Sequence, residues 1–446
     1  MNETKTLAAY AAGLRYEDIP ESVLQCVRNS ICDTVGAIVF GYDLPWSRMI
    51  NDYAMTYNQG GRSRILGLGG QLVQPPMAAL VNGALAHAFE LDGAAKPSSG
   101  AHPGATIVPA TLAVAQDRGI GGRELITAFV AGTEVLVRIG PATTKSNERR
   151  GFHSPSTTGP FAAAVGVGRM RGFDAARMTN TLGIAASLSS GLVQFARSGT
   201  GGMVKRLHFG RANESGVLAA GLAERGFEGP QDILEGELGF LRVFCDTYDM
   251  EKLTEGLGEA FFTTRIYMKR YACHGTCQAP LQGLEELRAR RPVAPEDIEL
   301  IEVHGTTETV KRHDIPSPPD PMIGQYSVNF SAALSFFRNP KDPRSFDQSA
   351  IDDKDIMALS RRVRLIEDIE AGKTGAIIRI KLKSGEMLEE RVTVIKATPS
   401  SPVTREEVYE KFSLLTSHCN KARMDEIFER LQGIENERDF NWLAIQ

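Results

Sequence analysis

Asp297-Ile298-Glu299-Leu300-Ile301-Glu302-Val303-His304 alternates polar and apolar side chains, the two-residue period of a strand with one buried face. The same period returns in Ala376-Ile377-Ile378-Arg379-Ile380-Lys381-Leu382 and in Glu389-Glu390-Arg391-Val392-Thr393-Val394, with Ser384-Gly385 between them as a hairpin turn. Proline-rich stretches at 316–321 and 339–343 read as loops. Together they predict a smaller α+β domain at 267–399.

Outward from that region the chain reads as helix. After Asp18-Ile19-Pro20-Glu21, the residues Val23, Leu24, Val27, Ile31, Val35 and Ile38 recur at three- and four-residue steps, which predicts an amphipathic helix of about five turns. Residues 72–91, 105–115, 121–139 and 160–195 are dense in Ala, Gly, Ser and Leu, a composition that lets helix axes approach closely. Residues 211–225 continue the pattern, with Gly226 as a C-terminal cap. Beyond the strands, Pro399-Ser400-Ser401-Pro402 punctuates the chain and Thr404-Arg405-Glu406-Glu407 opens another helix as a capping box. This last segment is too short for a core of its own, so it is expected to pack back on the first domain. The predicted fold is mostly α: a large all-helical bundle domain at 1–266 plus 400–446, discontinuous in sequence and interrupted by the α+β domain.

A length of 446 residues fits two domains, and a formal net charge of −4 with dispersed Lys and Arg carries no nucleic-acid signature. No run of about 18 apolar residues and no signal-peptide layout is read, so a soluble, cytoplasmic protein without a membrane partner is expected. Six irregularly spaced cysteines predict free thiols rather than a disulfide scaffold. Gly67-Leu68-Gly69-Gly70 lacks the spacing of a dinucleotide-binding loop and reads as a turn.

Reactive side chains gather in a few glycine-bearing stretches. Residues 87–105 place His87, Glu90, Asp92 and His102 in a Gly/Ser/Pro-rich loop between apolar flanks; it is either an active-site loop or a surface turn whose histidines cap helix ends. His153, in Gly151-Phe152-His153-Ser154-Pro155, stands before an Ala-rich helix whose N-terminus favours anions. Gly199-Thr200-Gly201-Gly202-Met203-Val204-Lys205-Arg206-Leu207-His208-Phe209-Gly210-Arg211 is either an anion-binding loop or a solvated basic one. Lys269-Arg270-Tyr271-Ala272-Cys273-His274-Gly275-Thr276-Cys277 lies at the predicted domain junction; its Cys and His suggest a metal, but a fourth ligand at recognisable spacing is missing. Gln325-Tyr326-Ser327-Val328-Asn329 is a polar helix start or a site, while His304, His313 and His418 have no sequence companions and read as structural or solvated.

The combined pattern resembles the MmgE/PrpD family along most of the chain. It is carried by Asn82-Gly83 through His87 to His102-Pro103-Gly104, by Gly151-Phe152-His153, and by Lys205-Arg206-Leu207-His208-Phe209-Gly210-Arg211-Ala212. Gly226-Phe227-Glu228-Gly229-Pro230, Ile233-Leu234-Glu235-Gly236, Lys269 with His274, and Ser345-Phe346-Asp347 add to it. The resemblance implies a helical domain interrupted by an α+β domain, an active site between them, and a homodimer needing no organic cofactor and no metal. By position it implies that Asp92, His102, His153, Lys205, His208, Lys269 and His274 line the site.

One departure sets the expected activity. Family members that dehydrate or decarboxylate usually carry a second Asp and a Thr after the residue matched by Asp92, where this chain has Gly93 and Ala94. Dehydration needs an acid for the departing hydroxide, whereas epimerisation only removes and returns an alpha proton. The expectation is therefore an isomerase, an epimerase acting on an iminodisuccinate-like polycarboxylate. His102 and Lys269 would be its proton-transfer pair, with Asp92 orienting a histidine and His274 also catalytic. A placed base is worth about 10²- to 10⁴-fold. His153, Lys205, Arg206, His208 and Arg270 would bind substrate carboxylates, and a preorganised donor to the developing enediolate contributes about 2.7 to 4 kcal/mol. The alternatives are a dehydratase or decarboxylase of a citrate-like acid, or a non-catalytic polycarboxylate-binding protein.

Overall fold

The computed structural model describes residues 2–67, 69–98, 100–196, 201–372 and 375–445. It forms two compact units, Met1–Met268 with Arg405–Gln446, and Lys269–Thr404. Leu68 of the glycine-rich turn, Ser99 of the 87–105 loop, and Gly199 and Thr200 of the basic stretch lie outside the described residues.

The first unit is helical. Its centre is made by the helices Pro75–Ala86, Pro103–Arg118, Gly122–Ala142, Ser154–Met170 and Val204–Glu224, which pack on one another. The small residues are a packing requirement: a Cβ on Gly83 would stand 2.9 Å from the Phe209 carbonyl, and one on Gly210 would stand 2.4 Å from the Leu80 carbonyl. Helix Glu21–Gly41 is buried almost throughout from Val27 onward. Helix Arg405–Leu415, from the C-terminal segment, packs on it, close enough that a Cβ on Gly36 would be 3.3 Å from the Phe412 ring. Helices Glu21–Gly41 and Gly122–Ala142 are long and apolar enough to cross a membrane, but 89% and 94% of their apolar windows are buried inside the protein. They are core helices.

Two local expectations are corrected. The 72–91 stretch is not one helix: Leu72–Val73 pairs with Ser63–Arg64 as a short strand, and the helix runs only from Pro75 to Ala86. Proline in the first turn starts it, and His87 ends it. The basic stretch is not a loop either, since Lys205 to Arg211 form the first turns of the Val204–Glu224 helix. At that spacing Lys205, His208, Phe209 and Ala212 share one face, and all are buried. The far end closes as read, with Gly226 at φ 83° and the Phe227 N–H reaching back to the Leu222 carbonyl at 3.1 Å.

The second unit holds a four-stranded sheet in the order Val363–Glu367, Ile298–Gly305, Ala376–Leu382, Met387–Val392. The first pair is parallel and the others antiparallel. Gly385, at φ 89°, turns the hairpin between the last two. Helix Gln278–Arg290 covers them so closely that a Cβ on Gly283 would be 2.8 Å from Ile378. Val363–Glu367 was not expected from the sequence, because only Val363 and Leu365 face inward within a charged run. The observed class is mostly α with a smaller α+β part.

Candidate active site

Three helix ends and one helix face converge in the first unit. His87 follows the Pro75–Ala86 helix, while His102 and His153 hold the N-cap positions of Pro103–Arg118 and Ser154–Met170. Neither N-cap histidine spends its ring on capping. The partial positive charge of both helix starts is therefore left beside the imidazoles, which suits an anion. His208 and Lys205 arrive from the buried face of Val204–Glu224. The 87–92 part of the loop is buried, so the surface-turn alternative is set aside.

Asp92 is fully buried and takes one imidazole on each oxygen: His87 Nδ1 at 2.8 Å from Oδ1, and His102 Nδ1 at 2.7 Å from Oδ2. Burial would raise the Asp92 carboxyl, but the two imidazoles bonded to it hold it well below the usual carboxylate range. Burial pushes His87 down to about 3, against the opposing pull of Asp92, so His87 is neutral and donates its Nδ1–H. Its Nε2 is buried without a hydrogen-bond partner among the described residues. The His102 side chain is 17% exposed, and with Nδ1 tied to Asp92 its Nε2 is the atom left for chemistry.

His153 and His208 meet through their Nδ1 atoms at 2.9 Å, one donating to the other. Burial lowers both, helped by the Lys205 cation, His208 to about 4 and His153 well below the ordinary imidazole value. Phe209 binds the group together: its ring stacks on His87 at 3.7 Å between centroids and meets His102 and His153 edge-on at 5.4 and 6.1 Å. Lys205 forms a buried ion pair with Glu90. Arg206 is turned to backbone, with Nε on the Ala88 carbonyl at 3.2 Å and its guanidinium over Trp46, while Nη2 is buried without a partner among the described residues.

His87, Asp92 and His102 are the residues grouped closely enough to hold a metal among those described, with ligand atoms within 4.8 Å of one another. Ligands about 2.0–2.1 Å from zinc stand roughly 3.3 Å apart. The observed separations of 2.7 and 2.8 Å are instead those of hydrogen bonds.

Lys269, Arg270 and His274 belong to the second unit. Lys269 is buried there, and Arg270 reaches Glu285 at 3.4 Å, a carboxylate that Lys341 also holds at 2.6 Å. His274 accepts the Thr276 N–H on Nδ1 at 3.3 Å and stacks on His313 at 4.4 Å and on Tyr326 at 5.1 Å. His313, read as companionless and in a loop, is at the end of helix Thr307–His313 and bonds the Tyr326 carbonyl at 2.8 Å. Cys273, His274 and Cys277 do not meet as a ligand set among the described residues. Ser327 is an ordinary N-cap, accepting the Phe330 N–H at 2.9 Å.

The first-unit cluster thus joins Asp92, His102, His153, Lys205 and His208 of the expected site and adds His87, Glu90 and Phe209. His87 and Glu90 were visible as polar residues in the loop. Nothing in the sequence marked Phe209 as more than a core aromatic.

The MmgE/PrpD N-terminal domain model matches residues 5–253 and the MmgE/PrpD C-terminal domain model matches residues 271–433. The chain belongs to the MmgE/PrpD family. It is 28% identical over 468 residues to the cis-aconitate decarboxylase of Aspergillus terreus, an alignment covering 98% of this chain and 94% of that protein. A cis-aconitate decarboxylase-like protein of Aspergillus oryzae is 28% identical over 464 residues, covering 98% and 93%. The cis-aconitate decarboxylase of Homo sapiens is 24% identical over 452 residues, covering 97% and 92%.

Those names overturn the isomerase expectation: these relatives are named as decarboxylases, which are lyases, and not as epimerases. The family expectation carries through, and so does the broader one that these relatives are enzymes. The expectation failed at Gly93 and Ala94, and packing explains the glycine. A Cβ on Gly93 would stand 2.6 Å from the Tyr267 carbonyl, and Ala94 pairs with Tyr267 in a short antiparallel bridge. Decarboxylation expels carbon dioxide rather than hydroxide, so it needs no acid for a departing hydroxide.

Proposed function

We propose that this MmgE/PrpD protein is a lyase that decarboxylates a small unsaturated tricarboxylate of the cis-aconitate kind. The observation that carries the reading is His102, held through Nδ1 by a buried carboxylate, beside three imidazoles that burial keeps neutral. The names and lengths of the relatives support the substrate class.

The chemistry asks for one proton and a place to park one electron pair. In cis-aconitate the CH2-borne carboxylate lies one carbon from the double bond. As its C–C bond breaks and carbon dioxide leaves, the pair forms a new terminal alkene and the old double-bond pair moves onto the carbon alpha to another carboxylate. That carboxylate spreads the charge as an enediolate until the alpha carbon takes a proton. In sum, R–COO⁻ plus H⁺ gives R–H plus CO2.

In this proposal His102 Nε2 delivers the proton, and Asp92 fixes the ring and offsets its positive charge in the protonated form. Lys205 and the two helix N-termini hold the retained carboxylates. The neutral His153–His208 pair donates hydrogen bonds without adding a charge that would anchor the departing group. Phe209 supplies an apolar wall where a carboxylate is poorly solvated and CO2 is not. Six free thiols support a reducing, cytoplasmic setting. The homodimer implied by the resemblance is part of the proposal, and sedimentation velocity tests it.

Incubation with cis-aconitate, followed by proton NMR and CO2 trapping, tests the reaction. The expected result is CO2 release with appearance of a terminal methylene; proton exchange without CO2, or no turnover at all, overturns it.

A further inference from the structure

Asp92 sits in a turn whose two flanking peptide groups are gripped from the same place. Lys411 Nζ, from helix Arg405–Leu415, donates to the Leu91 carbonyl at 2.7 Å. Asp33 Oδ2, from helix Glu21–Gly41, accepts the Gly93 N–H at 3.2 Å. The two side chains pair with each other at 2.5 Å through Asp33 Oδ1, and they are only 10% and 5% exposed.

A buried ion pair is a poor way to gain stability, since desolvating both charges offsets most of their attraction. This one also bonds the residues immediately before and after Asp92. The loop cannot slide to compensate, because Gly93 already lies against the Tyr267 carbonyl and Ala94 and Ala95 are paired with Tyr267 and Ile266.

We propose that Asp33 and Lys411 are positioning residues that set where the Asp92 carboxylate stands between His87 and His102. The inference rests on the assignment of Asp92 and His102 as the catalytic pair. Neither positioning residue touches substrate. They act by fixing the turn, as the residues that orient metal ligands do in metal sites, where their loss costs about 10- to 100-fold. The clamp also ties the C-terminal segment to the reaction: the helix 405–415 supplies half of it.

The test uses the full chain in three variants. Asp33→Leu with Lys411→Met removes both charges and both grips without leaving a lone buried ion. Lys411→Arg retains a donor and a charge. Asp33→Asn leaves an amide oxygen for the Gly93 N–H but no charge for Lys411. Two readouts are taken beside thermal melting: kcat and KM on cis-aconitate, and the low-field NMR resonances of the imidazole N–H protons bound to Asp92. The double variant is expected to melt within a few degrees of wild type, to lose about 10- to 100-fold in kcat with KM changed less than about threefold, and to lose or shift those resonances. Lys411→Arg is expected to hold both. A folded double variant with wild-type kcat and resonances overturns the proposal. If the double variant does not fold, Asp33→Asn is judged by the same criteria. Wild-type protein that releases no CO2 overturns the decarboxylase reading instead, and the resonances alone then decide the positioning role.

Discussion

His102 Nδ1 lies 2.7 Å from Asp92 Oδ2, and Asp92 has no exposed surface. A carboxylate so buried, with each oxygen committed to an imidazole, fixes the tautomer of both rings. It leaves His102 Nε2 as the working atom.

Replacing that carboxylate isolates its contribution. Asp92→Asn keeps the size but offers an NH2 group to one Nδ1–H, so one of the two hydrogen bonds is lost. The expected outcome is a fall in kcat of about 10²- to 10⁴-fold, measured as CO2 release. His102→Gln should fall as far. A variant of either kind with near wild-type kcat sinks the proton-transfer assignment.

The neutral histidines make stability depend on pH. Free imidazole titrates near 6.5, whereas folded His208 lies at about 4 and His87 at about 3. Because the folded values are depressed, the unfolded chain takes up more protons as pH falls below 6.5. The stabilisation is complete above that value and is lost progressively toward 4 for His208 and 3 for His87. Melting temperature measured across this range should drop steadily, and His208→Asn should flatten the slope. An unchanged slope would show that His208 is not buried neutral.

Gly93 should tolerate nothing larger. Gly93→Asp supplies the acid that other family members carry, yet its Cβ would stand 2.6 Å from the Tyr267 carbonyl. The expected result is a loss of about 1–3 kcal/mol in denaturant unfolding, with reduced turnover and no gain of dehydration. A stable variant that dehydrates a citrate-like acid would show that Gly93 alone keeps this site from dehydration.

Lys205 is predicted to serve fold and substrate together. Lys205→Met leaves Glu90 charged and buried without this partner, at a cost of about 3–5 kcal/mol. Lys205→Met with Glu90→Gln should recover most of that stability while KM for the tricarboxylate stays high. Recovery of KM as well would confine Lys205 to a structural role.

Much of this was open to reading along the chain. The strands at Ile298–Gly305 and Ala376–Leu382 follow from a two-residue period, and helix Glu21–Gly41 from apolar spacing. The basic stretch was harder. Its glycines at 201 and 202 suggested a loop, whereas Lys205, His208, Phe209 and Ala212 lie on the buried face of a helix. Gly93 misled for a related reason, since a glycine required by a neighbouring carbonyl looks in sequence like an acid that has been lost.

The sequence by itself determined the alternation of helix and strand, the family pattern and the loop bearing Asp92 and His102, because these depend on residues a few positions apart. Tertiary structure decided the rest. Asp33 and Lys411 are 378 positions apart, and His153 and His208 are 55 apart. Only packing brings such pairs to bonding distance, where burial keeps His87, His153 and His208 neutral and the two imidazoles bonded to Asp92 hold its carboxylate charged against that same burial.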